Sequence, residues 1–169
     1  MVETNLTGTY LMCREAHRQH MGEHGGSIVN IIADMFRGFP MMAHTGAARA
    51  GVENLSRSLC VEWAGDGVRV NAVAPGVVVS PTARENYAVD VFDSAIPHIP
   101  VKRLGVTREV SSAVCFLLSP GASFISGATL RVDAGGSLYS PQLWQIPDHD
   151  KIPEYNWDPY NEDENKSKL

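Results

Sequence analysis

The chain has 169 residues, 44% hydrophobic and 20% charged, with a net charge of −5 and a pI of about 5.6. Those values fit one globular α/β domain with its own core. They argue against a nucleic-acid surface, because the basic residues are scattered rather than striped, and no apolar run approaches the roughly 20 residues needed to span a membrane. No segment has the pattern of a secretory signal. Cys13, Cys60 and Cys115 each fall within an apolar helical pattern, an odd set that fits buried thiols in a reducing compartment better than disulfides or a metal site.

From Met1 onward the pattern is helical, with Leu6, Tyr10, Cys13 and His17 three or four apart, and Gly22 and Gly25-Gly26 are expected to end it. Ser27–Ile32 is a β-rich run that is apolar on both faces except at Asn30, as a central parallel strand should be. After a loop over 33–43, a helix is expected from about Thr45 to Ala64. Ala48, Val52, Leu55, Leu59 and Glu62 lie along one row of it, and Gly46, Ala47, Ala50 and Gly51 admit a close neighbour. Val68–Ala74 reads as the next strand, stopped by Pro75-Gly76. The whole stretch from Gly26 to Gly76 is thus a strand–loop–helix–strand unit, two parallel strands joined by a crossover helix.

Residues 77–106 carry Pro81, Pro97 and Pro100 and read as irregular apart from a short helix around Thr82–Ala95. A segment of that length is more often a functional lid than filler. Thr107 then looks like an N-cap, with Glu109 in the first turn of a helix through Leu118, and Ala128–Val132 is a third strand before Asp133-Ala134-Gly135-Gly136. Residues 140–169 turn polar, with Trp144 and Trp157 as isolated anchors. Partial docking followed by a disordered tail is expected there.

Five motifs, in order, resemble the short-chain dehydrogenase/reductase family: Asn5-Leu6-Thr7-Gly8; Gly26-Ser27-Ile28-Val29-Asn30-Ile31; the helix ending Ser58-Leu59-Cys60-Val61-Glu62; Val68 through Gly76 (VRVNAVAPG); and Ile125-Ser126-Gly127 with Val132-Asp133-Ala134-Gly135-Gly136. The resemblance covers residues 1–139 and implies an α/β fold, the C-terminal half of a doubly wound parallel (Rossmann-like) sheet with about three strands and flanking helices. Residues 140–169 form a separate C-terminal extension. The family's Gly-rich pyrophosphate turn and first strands are not represented, so the chain is expected to be a truncated form with one unpartnered sheet edge. The purified 169-residue chain is expected to show no measurable NADPH binding.

Within the family, His44 through Val52 and Ile146-Pro147-Asp148-His149-Asp150 look like the peroxisomal trans-2-enoyl-CoA reductases, and Ser167-Lys168-Leu169 matches the tripeptide read by the peroxisomal import receptor. The resemblance implies NADPH as cofactor, an acyl-CoA thioester as substrate, a peroxisomal location and a homo-oligomer built through the first helix and the long one. A 2,4-dienoyl-CoA reductase, or an inactive chain that keeps only the association surface, are the rivals.

The family's Asn, Ser, Tyr and Lys of reduction align with Asn5, Ile32, Thr45 and Arg49, so only Asn5 keeps its type. Ile32 cannot polarise a carbonyl. The Thr45 hydroxyl can bond a substrate or cap the helix, and capping suits it better. Arg49 keeps a cation able to bond ribose hydroxyls, or it is simply a solvated side chain. A Tyr used further along this helix by related enoyl reductases would align with Glu53, so the proton donor is unassigned. By resemblance, the backbone of Pro75, Gly76 and Val77 contacts the nicotinamide carboxamide and Ser80 or Thr82 reaches phosphate. The loop from Val78 to Leu104 would cover the acyl chain, with Tyr87, Val91, Phe92 and Ile96 as its lining or as a satellite core.

Overall fold

The computed structural model describes residues 1–86 and 92–155. In chain order the elements are α1 (Gly8–Ala16), α2 (Gly22–His24), β1 (Gly26–Ile31), α3 (Ala43–Glu62), β2 (Val68–Pro75), β3 (Val78–Val79), α4 (Pro81–Asn86), β4 (Gly105–Val106), α5 (Thr107–Leu118) and β5 (Thr129–Val132). β1, β2 and β5 form a parallel sheet in the order β1-β2-β5. Gly26 lies opposite Val68 and Ile31 opposite Val73, while Ala72 lies opposite Thr129 and Pro75 opposite Val132. Among the described residues the outer edge of β1 has no partner.

β2 is the axis of the core, and its alternation sorts the layers. Val68 and Val70 pack with Cys13 and Leu59, and Ala72 and Ala74 pack with Ile32, Val52 and Leu6, so the α1/α3 side is filled by every second residue. Val73 points the other way, against Leu117 and Ala122 at the α5 side. Burial on both faces is what a central parallel strand requires. The motif's polar residues are structural. Asn71, fully buried, donates to the Ile125 carbonyl at 2.9 Å and accepts from the Ala128 N–H at 3.0 Å. Arg69 donates to the Leu117, Ile125 and Ser119 carbonyls, closing the end of α5.

The two helices of the other layer touch through a missing side chain, since a Cβ on Gly51 would lie 2.8 Å from Leu6; the loop before α3 packs on it in the same way, a Cβ on Gly46 lying 2.5 Å from Phe39. A buried chain of hydrogen bonds ties both helices to β1: Cys13 to Asn30, Asn30 to Ser56, and Ser56 to the Val52 carbonyl. α1 is entered through a π-helical turn, Glu3–Thr7, and left through another, His17–Met21.

Several expectations are corrected. Gly22 lies inside α2 rather than ending the helix, which stops at Gly25 with φ 72°. Glu62 is exposed, because the buried row of α3 drifts to Ser56 and Leu59. The N-cap of α5 is Val106, not Thr107, and the Val106 N–H is satisfied by the Glu109 carboxylate at 3.0 Å. Cys115 is exposed; only Cys13 is a buried thiol.

The 77–106 segment is more ordered than its prolines suggest. β3 and β4 pair in parallel, Val78 opposite Gly105 and Val79 opposite Val106, and close off a satellite core of Phe92, Ile99, Val101 and Leu104. The expected helix around 82–95 is instead α4 and a 3-10 turn, Asp93–His98. Lys102 turns the chain with φ 57°, a left-handed conformation that costs a side-chain-bearing residue about 1 kcal/mol.

The extension runs back over this lobe as far as Tyr155. Trp144 is 71% exposed and anchors nothing; Trp157 lies outside the described residues. Docking is done by polar groups instead. The Tyr139 hydroxyl accepts from the Ile146 N–H at 2.9 Å, His149 Nε2 donates to the Pro100 carbonyl at 3.0 Å, and Arg103 donates to the Ile152 and Pro153 carbonyls at 2.8 Å each.

Candidate active site

The carboxyl ends of β1 and β2 open on one side of the sheet, the position at which open α/β sheets bind ligands. β1 runs into Ile32, whose N–H bonds the Val73 carbonyl at 2.9 Å, and Asp34 continues the same register with its N–H on the Pro75 carbonyl at 3.0 Å. Ile32 is 3% exposed and its side chain is spent on the core.

Four positions picked out in the sequence meet here. Asn5 Nδ2 donates to Thr45 Oγ1 at 3.2 Å across 40 residues of chain, and Arg49 Nη1 donates to the Ile32 carbonyl at 3.5 Å. Thr45 is not the helix cap. The cap position is Met42, and Thr45 is the third residue of α3, 7% exposed. Its oxygen accepts from Asn5, and among the described residues its own O–H has no acceptor, so the hydroxyl proton is uncommitted. Arg49 has five N–H donors and meets one partner among the described residues. The remaining donors leave Arg49 a residue that could hold the hydroxyls of a ribose.

Glu53, aligned with the Tyr of related reductases, faces away. It accepts from Arg57 at 2.6 Å and from Thr129 at 3.0 Å beside β5. The Cys13 thiol is pushed up by burial, against the hydrogen bond to Asn30, and is no nucleophile.

Pro75-Gly76-Val77 forms the rim of a cavity of about 520 Å³. Gly76 is required there: a Cβ would stand 2.9 Å from both Cα and Cβ of Asp133. Phe39, Met42, Val78, Phe92 and Ile99 give the cavity an apolar wall, with Asp34, His98 and Asp133 as its titratable groups. Of the lining expected for an acyl chain, Phe92 is present, Ile96 packs in the satellite core, and Tyr87 and Val91 lie outside the described residues. Ser80 Oγ accepts the Ala83 N–H at 3.1 Å and caps α4.

Asp34 and His98 were not singled out in the sequence. Asp34 had a signal, since it follows a strand's carboxyl end; His98 had none, because a 3-10 turn has no period that a sequence displays. Asp133 is held by its own turn. Burial works to raise its carboxyl, but hydrogen bonds from the Ser137 hydroxyl and N–H and from the Gly135 N–H, with Arg131 nearby, keep it below the ordinary value.

A family model described as enoyl-(acyl carrier protein) reductase matches residues 1–137. The chain belongs to the short-chain dehydrogenase/reductase family. This reductase-family chain is 35% identical over 144 residues to the mouse peroxisomal 2,4-dienoyl-CoA reductase, covering 83% of this chain and 49% of that protein. It is 37% identical to a glucose 1-dehydrogenase of Gluconobacter oxydans, covering 82% and 53%. Among solved structures it resembles the citronellol catabolism dehydrogenase of Pseudomonas aeruginosa PAO1, with 50% identity, a TM-score of 0.69, and 80% and 52% of the two chains covered. ElxO with NADP bound matches at 30% identity with a TM-score of 0.71, covering 80% and 56%. The chain spans about half the length of the curated relatives it matches. The oxidoreductase family and its parallel α/β fold are therefore as the motifs implied.

Proposed function

We propose that this chain belongs to an NADPH-dependent reductase of trans-2-enoyl-CoA thioesters. The observation that carries the reading is the Asn5–Thr45–Arg49 corner, closed by a buried Ile32, with the corner's chain neighbours Ala33, Asp34 and Met42 lining an apolar cavity of about 520 Å³. Reduction of an isolated carbonyl needs a hydroxyl that polarises it and an acid that protonates the alkoxide. Neither Ile32 nor Thr45 serves as that acid.

A conjugated thioester asks for less. A bound reduced nicotinamide supplies the hydride that adds to C3. Charge then develops on the thioester oxygen, where a donor aimed in advance is most effective. Thr45, with its oxygen committed to Asn5 and its proton free, is the donor this reading assigns to that oxygen. A bound cofactor would be held by Arg49 and by the backbone of Pro75, Gly76 and Val77, with Ser80 as the residue for its phosphate. C2 would take a proton from water or from His98 on the cavity wall, so the carbon–carbon double bond becomes a single bond. The apolar wall of Phe39, Met42, Phe92 and Ile99 suits the acyl chain.

A second reading, reduction of 2,4-dienoyl-CoA, is favoured by the curated relatives at 35% identity. The deciding experiment follows NADPH oxidation by the full-length protein with a trans-2-enoyl-CoA, a 2,4-dienoyl-CoA and citronellal. Turnover of the enoyl thioester alone is expected. Turnover of the dienoyl thioester alone would move the assignment to the second reading, and turnover of citronellal alone would remove thioester reduction altogether. A peroxisomal address in Ser167-Lys168-Leu169 and a homo-oligomer formed through α1 and α3 belong to the same proposal. Loss of import on deleting those three residues, and sedimentation of the full-length protein, test them in turn.

A further inference from the structure

The turn Pro100–Arg103 is the hinge of the cavity's outer wall. On its inner side Ile99, Val101 and Leu104 are buried in the satellite core, and Ile99 also lines the 520 Å³ cavity. Lys102 sits at φ 57° to make that arrangement possible. Nothing in the turn's sequence favours it: a lysine has no access to the left-handed region at the low cost that glycine has.

The turn closes on its own bond from the Lys102 N–H to the Ile99 carbonyl at 3.1 Å, and further fasteners reach it from outside, most of them from the extension. His149 Nε2 donates to the Pro100 carbonyl at 3.0 Å. The Lys102 ammonium lies 5.7 Å over the Tyr139 ring while donating to Pro97 at 2.9 Å, and the Tyr139 hydroxyl takes the Ile146 N–H. Arg103 is the largest fastener. Its Nε and Nη2 reach the Ile152 and Pro153 carbonyls at 2.8 Å, and two nitrogens grip the Glu109 carboxylate at 2.7 and 3.1 Å. One guanidinium thus joins the extension, the turn and the first turn of α5. Ile152 then closes a second cavity of about 450 Å³ that shares Val77, Val78, Ile99 and Asp133 with the first.

We infer that residues 140–155 are a brace that keeps a strained turn in its native conformation, and that Arg103 is the positioning residue through which the brace fixes the acyl-facing wall. Arg103 touches no reacting atom. It acts by holding Ile99 in place, so its loss loosens binding of the acyl portion rather than the chemistry. The effect on acyl binding rests on the enoyl-thioester reading; the brace itself does not.

The test is amide hydrogen exchange on the full-length protein, comparing peptides over 97–106 with peptides over β2, together with calorimetric binding of dodecanoyl-CoA. Arg103→Ala is expected to speed exchange over 97–106 by about tenfold or more, the scale of a lost charged hydrogen bond, with β2 unchanged. Arg103→Lys should be intermediate, since an ammonium cannot span both carbonyls and the carboxylate. Adding Lys102→Gly to Arg103→Ala should restore slow exchange in part, because glycine adopts the turn without strain while the Lys102 bond to Pro97 is given up. Dodecanoyl-CoA affinity should fall about tenfold in Arg103→Ala and recover in the double variant. Equal acceleration over β2, or no recovery with Lys102→Gly, would overturn the brace by showing that Arg103 merely adds global stability. If the unsubstituted protein binds no dodecanoyl-CoA, the acyl-thioester reading fails while the exchange data still decide the brace.

Discussion

The carboxyl end of β2 has two flanks built in opposite ways. On one, the Asn5–Thr45–Arg49 corner rests on long helices, glycine-mediated contact and a buried polar chain running from Cys13 to Ser56. On the other, the 92–106 wall is made of two-residue strands, a 3-10 turn and a left-handed lysine, held from outside by an extension. Under the proposed function the difference separates two duties. Groups that would have to be placed to within fractions of an ångström sit on regular elements, and the surface that would accommodate substrate shape sits on irregular ones.

The strongest way to break the distinction is at the residue both flanks share. Gly76→Ala puts a Cβ against the backbone of Asp133 and should cost about 2 to 3 kcal/mol of stability in denaturant unfolding. A loss under about 0.5 kcal/mol would mean that the rim yields and that the flanks are not rigidly joined. Thr45→Val tests the corner alone. It leaves the Asn5 amide with only the weak Met1 Sδ acceptor at 3.3 Å and should cost about 1 kcal/mol, whereas Thr45→Ser should be nearly neutral.

The wall can be probed by acid. The Glu109 carboxyl is held below its ordinary value first by the hydrogen bond from Arg103, with burial opposing and the Val106 N–H assisting. A lowered folded-state value means stability that is present above the unfolded value, near 4.5, and is lost as pH falls through the folded one. Stability of the native chain should therefore fall as pH drops below about 4.5, and E109Q should flatten that part of the curve. An unchanged slope would show that the Arg103 link contributes nothing measurable. The smallest stability effect belongs to Arg49→Met, within about 0.5 kcal/mol because its one bond is long and half-exposed. In the full-length protein the same change should weaken NADPH binding by about tenfold or more, read by fluorescence titration.

The same contrast explains what the sequence disclosed. The crossover from Gly26 to Gly76 was legible because β2 alternates Val68, Val70, Ala72 and Ala74 toward one layer, and because a 20-residue helix has many turns in which to display its period. That the aligned positions meet followed from the motif order. The hydroxyl's partner did not: Thr45 read as a cap because a threonine near a helix start usually is one, and only the packing of Leu6 on Gly51 brings Asn5 within reach. The wall was illegible for a plainer reason. Two-residue strands have no periodicity, and Trp144 drew attention as an apolar anchor where hydrogen bonds from His149 and Arg103 do the docking.

The two π-helical turns that bracket α1 carry a consequence for how this protein can vary. Each takes up one residue more than an α-helical turn would, without breaking the rod. A one-residue deletion within either turn can be absorbed by reversion to α-helix, leaving Asn5 and Cys13 on their present sides. The same deletion between Gly8 and Met12 would swing Asn5 by about 100° relative to Cys13 and take it away from Thr45. Single-residue deletions in this helix are thus cheaper at its two ends than in its middle.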